Sequence, residues 1–242
     1  MNTKEDLDQY LVGYEQDPFA YANKLTFANF VKKMLRRALP HGEHLEFGIG
    51  GGLVLRALGD WHKKVTLLEG SPQFVQAWQG RYSNIEIVHT YFEDYRSDTR
   101  YTSMGMGFVL EHVDDPLGLL QHYKTMLSSD GSIFVGVPNA GSAHRRIGHL
   151  AGMMSDLRVL SEVDKSFGHK RSWPDADWLE LFDQAGYCVT THEGLYFKPL
   201  ATSQLEQLQL PETIYKAFVE FGNDWPAIAD SVFYELSHPT SS

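Results

Sequence analysis

Glu46 stands two residues ahead of a cluster in which glycine recurs at Gly48, Gly50, Gly51 and Gly52, and a second acid, Glu69, closes the apolar run Val65-Thr-Leu-Leu68. Glycine permits a tight turn from strand into helix and removes the Cβ that would hold a ligand off the backbone. A carboxylate at the end of the following strand can accept hydrogen bonds from two ribose hydroxyls. A glycine turn alone is also an ordinary structural device, but the turn and the acid together describe a nucleoside site. The dinucleotide fingerprint Gly-x-Gly-x-x-Gly, counted from Gly48, needs glycine at 53, where this chain has Leu53 and instead places glycine at 52. That spacing favours S-adenosylmethionine over a dinucleotide, and no Gly-Lys-Ser/Thr triplet follows to make a P-loop.

A sulfonium methyl donor carries its own leaving group, so the chain need only align a nucleophile and, where required, take its proton. His112, His144 and His169 are candidate bases because imidazole titrates near neutral pH. Each of them singly also suits a structural hydrogen bond. Cys188 is the one cysteine, which excludes a disulfide or cysteine metal cage within the chain, and its alternating surroundings predict a buried strand thiol.

These residues need elements to position them. Phe27, Phe30, Val31, Met34, Leu35 and Ala38 mark one face of a helix over 19–38, ended by Pro40. A strand at 44–47 runs into the glycine turn and a short helix, and a strand at 65–68 leads to a helix capped by Ser71 and opened by Pro72. Further strands are expected at 85–88, 106–110 and 132–137, with a helix after Asp115-Pro116. Residues 139–172 break the rhythm and read as an insertion. A helix over 175–185 precedes a strand at 187–191, and a helix after Pro211, with Ile214, Ala217, Phe218 and Phe221 inward, precedes a last strand at 231–236. Alternating strands and helices imply an α/β fold, with a parallel sheet covered on both faces and a ligand beyond the strands' carboxyl ends.

In 242 residues the formal charge is −10, which disfavours nucleic acid and anionic membranes as partners. The N-terminus has no signal pattern and no apolar run is long enough to span a bilayer, so a cytoplasmic protein is expected. Residues 144–171 hold six Lys or Arg against three acids, an island of +3 that leaves −13 for the rest. Arg145 and Arg146 in it are candidate contacts to an anionic substrate, the alternative being a loop that balances nearby acids.

Over about residues 40–195 the chain resembles the class I S-adenosylmethionine-dependent methyltransferases. Glu46-Phe-Gly-Ile-Gly-Gly-Gly52 is similar to their first motif, Glu69-Gly70 to the ribose-binding acid, Phe92-Glu93 to the adenine-contacting pair, Phe108-Val-Leu-Glu-His-Val-Asp-Asp-Pro116 to the fourth-strand motif, and Leu127-Ser-Ser-Asp-Gly131 to the turn before the fifth strand. The resemblance implies a single Rossmann-like, doubly wound domain with a mostly parallel seven-stranded sheet in the order 3-2-1-4-5-7-6. Residues 1–40 would form a helical arm, 41–138 the cofactor-binding core, 139–172 a substrate cap and 173–242 the rest of the sheet with a helical insertion.

It further implies S-adenosylmethionine as cofactor, held by Glu46, Gly48, Gly50, Gly52, Glu69, Gly70, Ser71, Phe92, Glu93, Gly107 and Phe108. Glu46 would hold the glycine loop, and Phe92 and Phe108 could equally be core. The acceptor implied is an O or N atom of a small, anionic or sugar-like metabolite; a peptide acceptor and a non-catalytic cofactor-binding module are the alternatives. Some quinol and small-RNA methyltransferases bind a divalent ion through Glu-x-x-Glu-His at the fourth strand. Here Glu111-His112 is present but Phe108 occupies the earlier acid's place, so no metal is expected. The aromatic residues Tyr10, Tyr14 and Tyr21 are candidates for a lid, or for packing of the arm.

Overall fold

The computed structural model describes residues 7–10 and 20–239. Helix α1 (Ala20–Arg37) precedes β1 (His44–Phe47), α2 (Leu53–Gly59), β2 (Val65–Glu69), α3 (Pro72–Trp78), β3 (Ile85–His89), β4 (Tyr101–Gly107), α4 (Pro116–Lys124) and β5 (Leu127–Pro138). The insertion then forms α5 (Ala143–Leu150) and α6 (Glu162–Ser166). The chain closes with α7 (Asp175–Gln184), β6 (Cys188–Tyr196), α8 (Thr202–Gln207), α9 (Glu212–Asp224) and β7 (Ser231–Ser237).

The sheet order is β3-β2-β1-β4-β5-β7-β6, as the resemblance implies. The first five strands are parallel to their neighbours, and β7 pairs antiparallel with both β5 and β6. One face is covered by α4 and α7 through Leu119, Leu120, Tyr123, Trp178, Leu181 and Phe182. The other is covered by α1 and α2 through Phe30, Val31, Met34, Val54, Leu55 and Leu58. Burying both faces is what parallel strands require, and it leaves the carboxyl ends of β1, β2 and β4 as a shared rim.

Local chemistry sets the element ends as expected at two helices: Ser71 accepts the Phe74 N–H at 3.2 Å, and Asp115 accepts that of Gly118 at 2.9 Å, each followed by proline at the first helical position. Elsewhere the structure differs. The fourth strand covers 101–107 rather than 106–110, because Tyr101-Thr-Ser-Met-Gly-Met-Gly lies buried between β1 and β5 without an alternating pattern, and the chain turns at Phe108. Strand β6 extends to Tyr196, and as it is an edge strand Cys188 at its start is exposed rather than buried. Helix α9 leans on β6 through Phe218 and Gly222, leaving Ile214, Ala217 and Phe221 outward. Among the described residues no helix is long and apolar enough to cross a membrane.

Candidate functional site

The turn after β1 passes through left-handed backbone at Gly48 (φ 80°), Gly50 (φ 50°) and Gly52 (φ 72°), which residues with a Cβ adopt only at a cost. Glu69, at the end of β2, ties this turn to the next one: its carboxylate accepts the Ile49 N–H at 2.9 Å and the Ser71 N–H at 2.7 Å. Glu69 is buried, and desolvation raises its pKa above the usual range against the opposing pull of those amides. Glu46 does not hold the loop. Its carboxylate turns back along β1 to His44 Nε2 at 2.9 Å and takes the Phe47 N–H, while His44 Nδ1 meets Ser103 Oγ at 2.9 Å. Burial pushes Glu46 well up and His44 down to about 3, so the two form a neutral pair.

A cavity of about 1390 Å³ opens on this rim. Glu46, Gly48, Gly50, Glu69, Gly70, Ser71, Phe92, Glu93, Gly107 and Phe108 all line it; Gly52 does not. A Cβ on Gly52 would lie 2.7 Å from the Trp78 ring atom Cη2, so this glycine serves the packing of α3 against the turn. Gly51 is the opposite case: a Cβ there would meet nothing within 4 Å, since it faces the cavity. Phe92 stands beside Gly48, with its ring 5.3 Å from that of Phe47. Gly107 makes room for Phe30, and Phe108 is held at φ 60°, its N–H donating to Gly136 O at 2.7 Å and its ring packed on Phe27. An open glycine cradle, a buried acid fixed by two amides and an aromatic ring on one wall are donors and surfaces that fit an adenosine sulfonium.

Sequence reasoning missed one wall. Leu7 lines the cavity and lies 2.5 Å from where a Gly70 Cβ would stand, and Ser71 Oγ donates to Asp8. No local pattern in that segment signals this contact. Of the aromatic residues considered for a lid, Tyr14 and the Tyr10 side chain lie outside the described residues. Tyr21 is exposed and packs edge-on against Tyr215, away from the cavity lining.

The opposite wall comes from the turn after β4 and from the insertion. His112, His144 and His169 all line the cavity. His112 and His169 meet edge to face at 4.8 Å beside the buried Glu111, whereas His144 sits apart, 3.0 Å from Ser142 Oγ and 3.6 Å from Asp230. Burial lowers His112 and His144 to about 3 and raises Glu111 to about 7. Desolvation acts to lower His169 as well but is outweighed by its bond to Asp164, whose carboxylate in turn is held low against desolvation by His169 and Ser161.

Arg145 lines the cavity but its guanidinium is occupied by the Leu157 and Val159 carbonyls and lies 3.8 Å from Asp164; Arg146 donates to Gly141 O and does not line the cavity. Arg158 pairs with Asp177, Lys165 with Glu162 and Lys170 with Asp114, while Arg171 donates to the Leu110 and Asp114 carbonyls. The side chains of the basic island thus fold the insertion and brace it against the sheet, and Arg145 and Lys170 do so from the cavity lining.

The family described as "Methyltransferase domain" matches residues 19–192. No curated protein matches the sequence. Among solved structures, similar folds include a Thermotoga maritima S-adenosylmethionine-dependent methyltransferase (TM-score 0.63, 16% identity, covering 96% of this chain and 98% of that one). A second is the Burkholderia thailandensis 1,6-didemethyltoxoflavin N1-methyltransferase with 1,6-didemethyltoxoflavin and S-adenosylhomocysteine bound (0.64, 11%, 96% and 87%). A third is the glycopeptide N-methyltransferase MtfA complexed with S-adenosylmethionine (0.57, 13%, 86% and 86%).

Proposed function

The chain belongs to the methyltransferase-domain family and uses S-adenosylmethionine, and from this premise we propose that it methylates an O or N atom of a small metabolite held between the sheet rim and the insertion. The observation that carries this reading is that the glycine turn and the insertion line one cavity of about 1390 Å³. That exceeds the roughly 300–1,000 Å³ of a typical small-ligand pocket and leaves room for a second small molecule beside the cofactor.

On this reading Glu69 takes the ribose hydroxyls, Phe92 and Glu93 flank the adenine, and Gly48, Gly50 and Gly51 let the backbone approach the sugar and methionine portions. Bound there, the cofactor supplies an electrophilic methyl carbon on a sulfonium leaving group. Phe108 and Gly107 shape the floor between the two halves. Ile147, Met153, Met154 and Phe167 from the insertion give the acceptor an apolar wall, Glu111, His112 and His169 give it a polar one, and His144, which stands apart from those three, is the residue placed to receive a proton. Positioning of the acceptor by these side chains is the main work, because the leaving group is already activated.

The test is incubation of the full chain with methyl-labelled S-adenosylmethionine and separate pools of hydroxyl- or amine-bearing metabolites and of peptides. Label in the metabolite pool is expected. Label confined to peptides, or no label in any pool from protein that binds the cofactor, overturns the proposal.

A further inference from the structure

Glu111 presents a chemical problem that the cofactor half of the cavity does not solve. Its side chain is fully buried, and among the described residues neither carboxylate oxygen has a hydrogen-bond partner. A carboxylate kept in such a place must be neutralised by a proton or meet a cation. The ionisable groups around it are His112, its chain neighbour, His169, brought in from the insertion, and Arg171 and Asp164, which act on it through space without bonding it; one donor atom from each of Glu111, His112 and His169 lies within 4.8 Å of the others. Three atoms so spaced can all stand within about 2.8 Å of one point, so an inward shift of roughly 0.6–0.8 Å by each reaches the 2.0–2.2 Å bonds of a divalent metal.

The outer contacts fit the same purpose. His169 Nδ1 lies 3.4 Å from Asp164 Oδ1, and Asp164 is itself pinned by the Ser161 N–H and Oγ, each at 2.8 Å. The His112 ring is hydrogen-bonded to the Gly168 backbone. Metal-binding histidines almost always ligate through one ring nitrogen and hydrogen-bond through the other, which fixes the ring and the tautomer, so such contacts are what the site would need. The Lys170 N–H donates to Glu111 O at 2.8 Å, so the backbone that carries His169 is itself tied to Glu111.

We propose that Glu111, His112 and His169 bind one divalent first-row transition cation such as Zn²⁺, Fe²⁺ or Co²⁺. Two imidazole nitrogens and one carboxylate oxygen suit these ions, whereas Mg²⁺ and Ca²⁺ favour all-oxygen sets. The expectation of no metal rested on Phe108 standing where an acid would complete an oxygen-rich site. The fold supplies instead a nitrogen donor from His169, which no local spacing connects to Glu111. All three residues line the cavity. An acceptor hydroxyl or amine could therefore complete the coordination, a consequence that rests on the proposed function, whereas cation binding itself does not.

Chelator-stripped full-length protein is titrated with Co²⁺, followed by its visible absorption, and with Zn²⁺ in competition; S-adenosylhomocysteine binding is measured separately by calorimetry. One saturable equivalent of Co²⁺ is expected, displaced by Zn²⁺. Glu111→Gln, which preserves shape, and His169→Ala should abolish saturable binding, and Asp164→Asn should weaken it about 10- to 100-fold. The metal should raise the melting temperature of the wild type and not of Glu111→Gln. Absence of saturable binding in the wild type, or unchanged Co²⁺ affinity in Glu111→Gln, overturns the site and leaves protonation of the carboxylate as what neutralises it. Retained S-adenosylhomocysteine binding in that case keeps the proposed function standing, while its loss from folded wild type counts against that function alone.

Discussion

Replacement of Glu69 by glutamine isolates what its charge does at the nucleoside wall. In the wild type two carboxylate oxygens accept two backbone amides, from Ile49 at 2.9 Å and Ser71 at 2.7 Å. The amide side chain keeps one oxygen and turns an NH₂ group towards one of those donors. Leaving a buried donor unsatisfied costs about 1–3 kcal/mol, and a hydrogen bond from a ribose hydroxyl loses the extra strength of a charged acceptor. Part of this is returned, because glutamine has no charge to desolvate and burial already disfavours the ionised Glu69. The unsatisfied amide is common to free and bound protein and so falls on unfolding free energy, while the weakened hydroxyl bonds fall on affinity: we expect a loss of about 1–3 kcal/mol in binding, roughly 5- to 150-fold in the Kd for S-adenosylhomocysteine, with a comparable loss in unfolding free energy. Isothermal calorimetry on the variant, beside urea unfolding of the same preparation, reads both. A Kd within threefold of wild type in folded Glu69→Gln would refute the assignment of this carboxylate to the sugar.

Two further outcomes follow from the rim. Gly52→Ala places a Cβ at φ 72° against the Trp78 ring, combining about 1–2 kcal/mol of left-handed strain with a further 1–3 kcal/mol of overpacking; urea unfolding should show the full loss while cofactor affinity of the folded fraction changes little, since Gly52 does not line the cavity. The neutral His44–Glu46 pair, faced by Lys63, Ser103 and Trp61, predicts a stability dome. Unfolded His44 takes a proton below about pH 6.5 that the folded one refuses until about pH 3, which lowers stability with acid, while unfolded Glu46 loses above about pH 4.5 a proton that the folded one keeps, which lowers stability with base; the two cancel between about pH 4.5 and 6.5, so stability falls below and above that plateau. Glu46→Gln should flatten the alkaline limb in urea midpoints measured from pH 6.5 to 9, and an unchanged slope would count against a protonated Glu46.

The parts of the fold that could be read from the chain were those with local causes. Ser71-Pro72 and Asp115-Pro116 cap helices by side chains within three residues, and β1 and β2 end where apolar runs meet glycine. The fourth strand was misplaced because Ser103 and Thr102, polar in sequence, are buried in the sheet with partners far along the chain: Ser103 bonds His44, and Thr102 donates to His41 O. Of the four residues expected inward on helix α9 only Phe218 leans on β6, because the closest contact is made through Gly222, where the absence of a side chain, rather than an apolar one, lets the backbones meet.

The same division runs through the cavity and explains why its two halves were unequally legible. A nucleoside wall made of backbone amides, glycines and one strand-end acid is written in consecutive residues, so spacing alone points to it; even there, the loop-holding role passed from Glu46 to Glu69, because His44 two residues upstream offered the first acid a buried partner. The acceptor wall is assembled from Glu111 and His112 after β4 and from His144, Asp164 and His169 in the insertion. These meet only once the insertion has folded on its own salt bridges and carbonyl staples. Net charge in that segment therefore says little by itself about a ligand, because the same side chains fold the insertion. The informative atoms are instead the few that folding leaves unsatisfied, and among the described residues these include both oxygens of the Glu111 carboxylate, buried beside the His112 and His169 rings at the edge of the cavity.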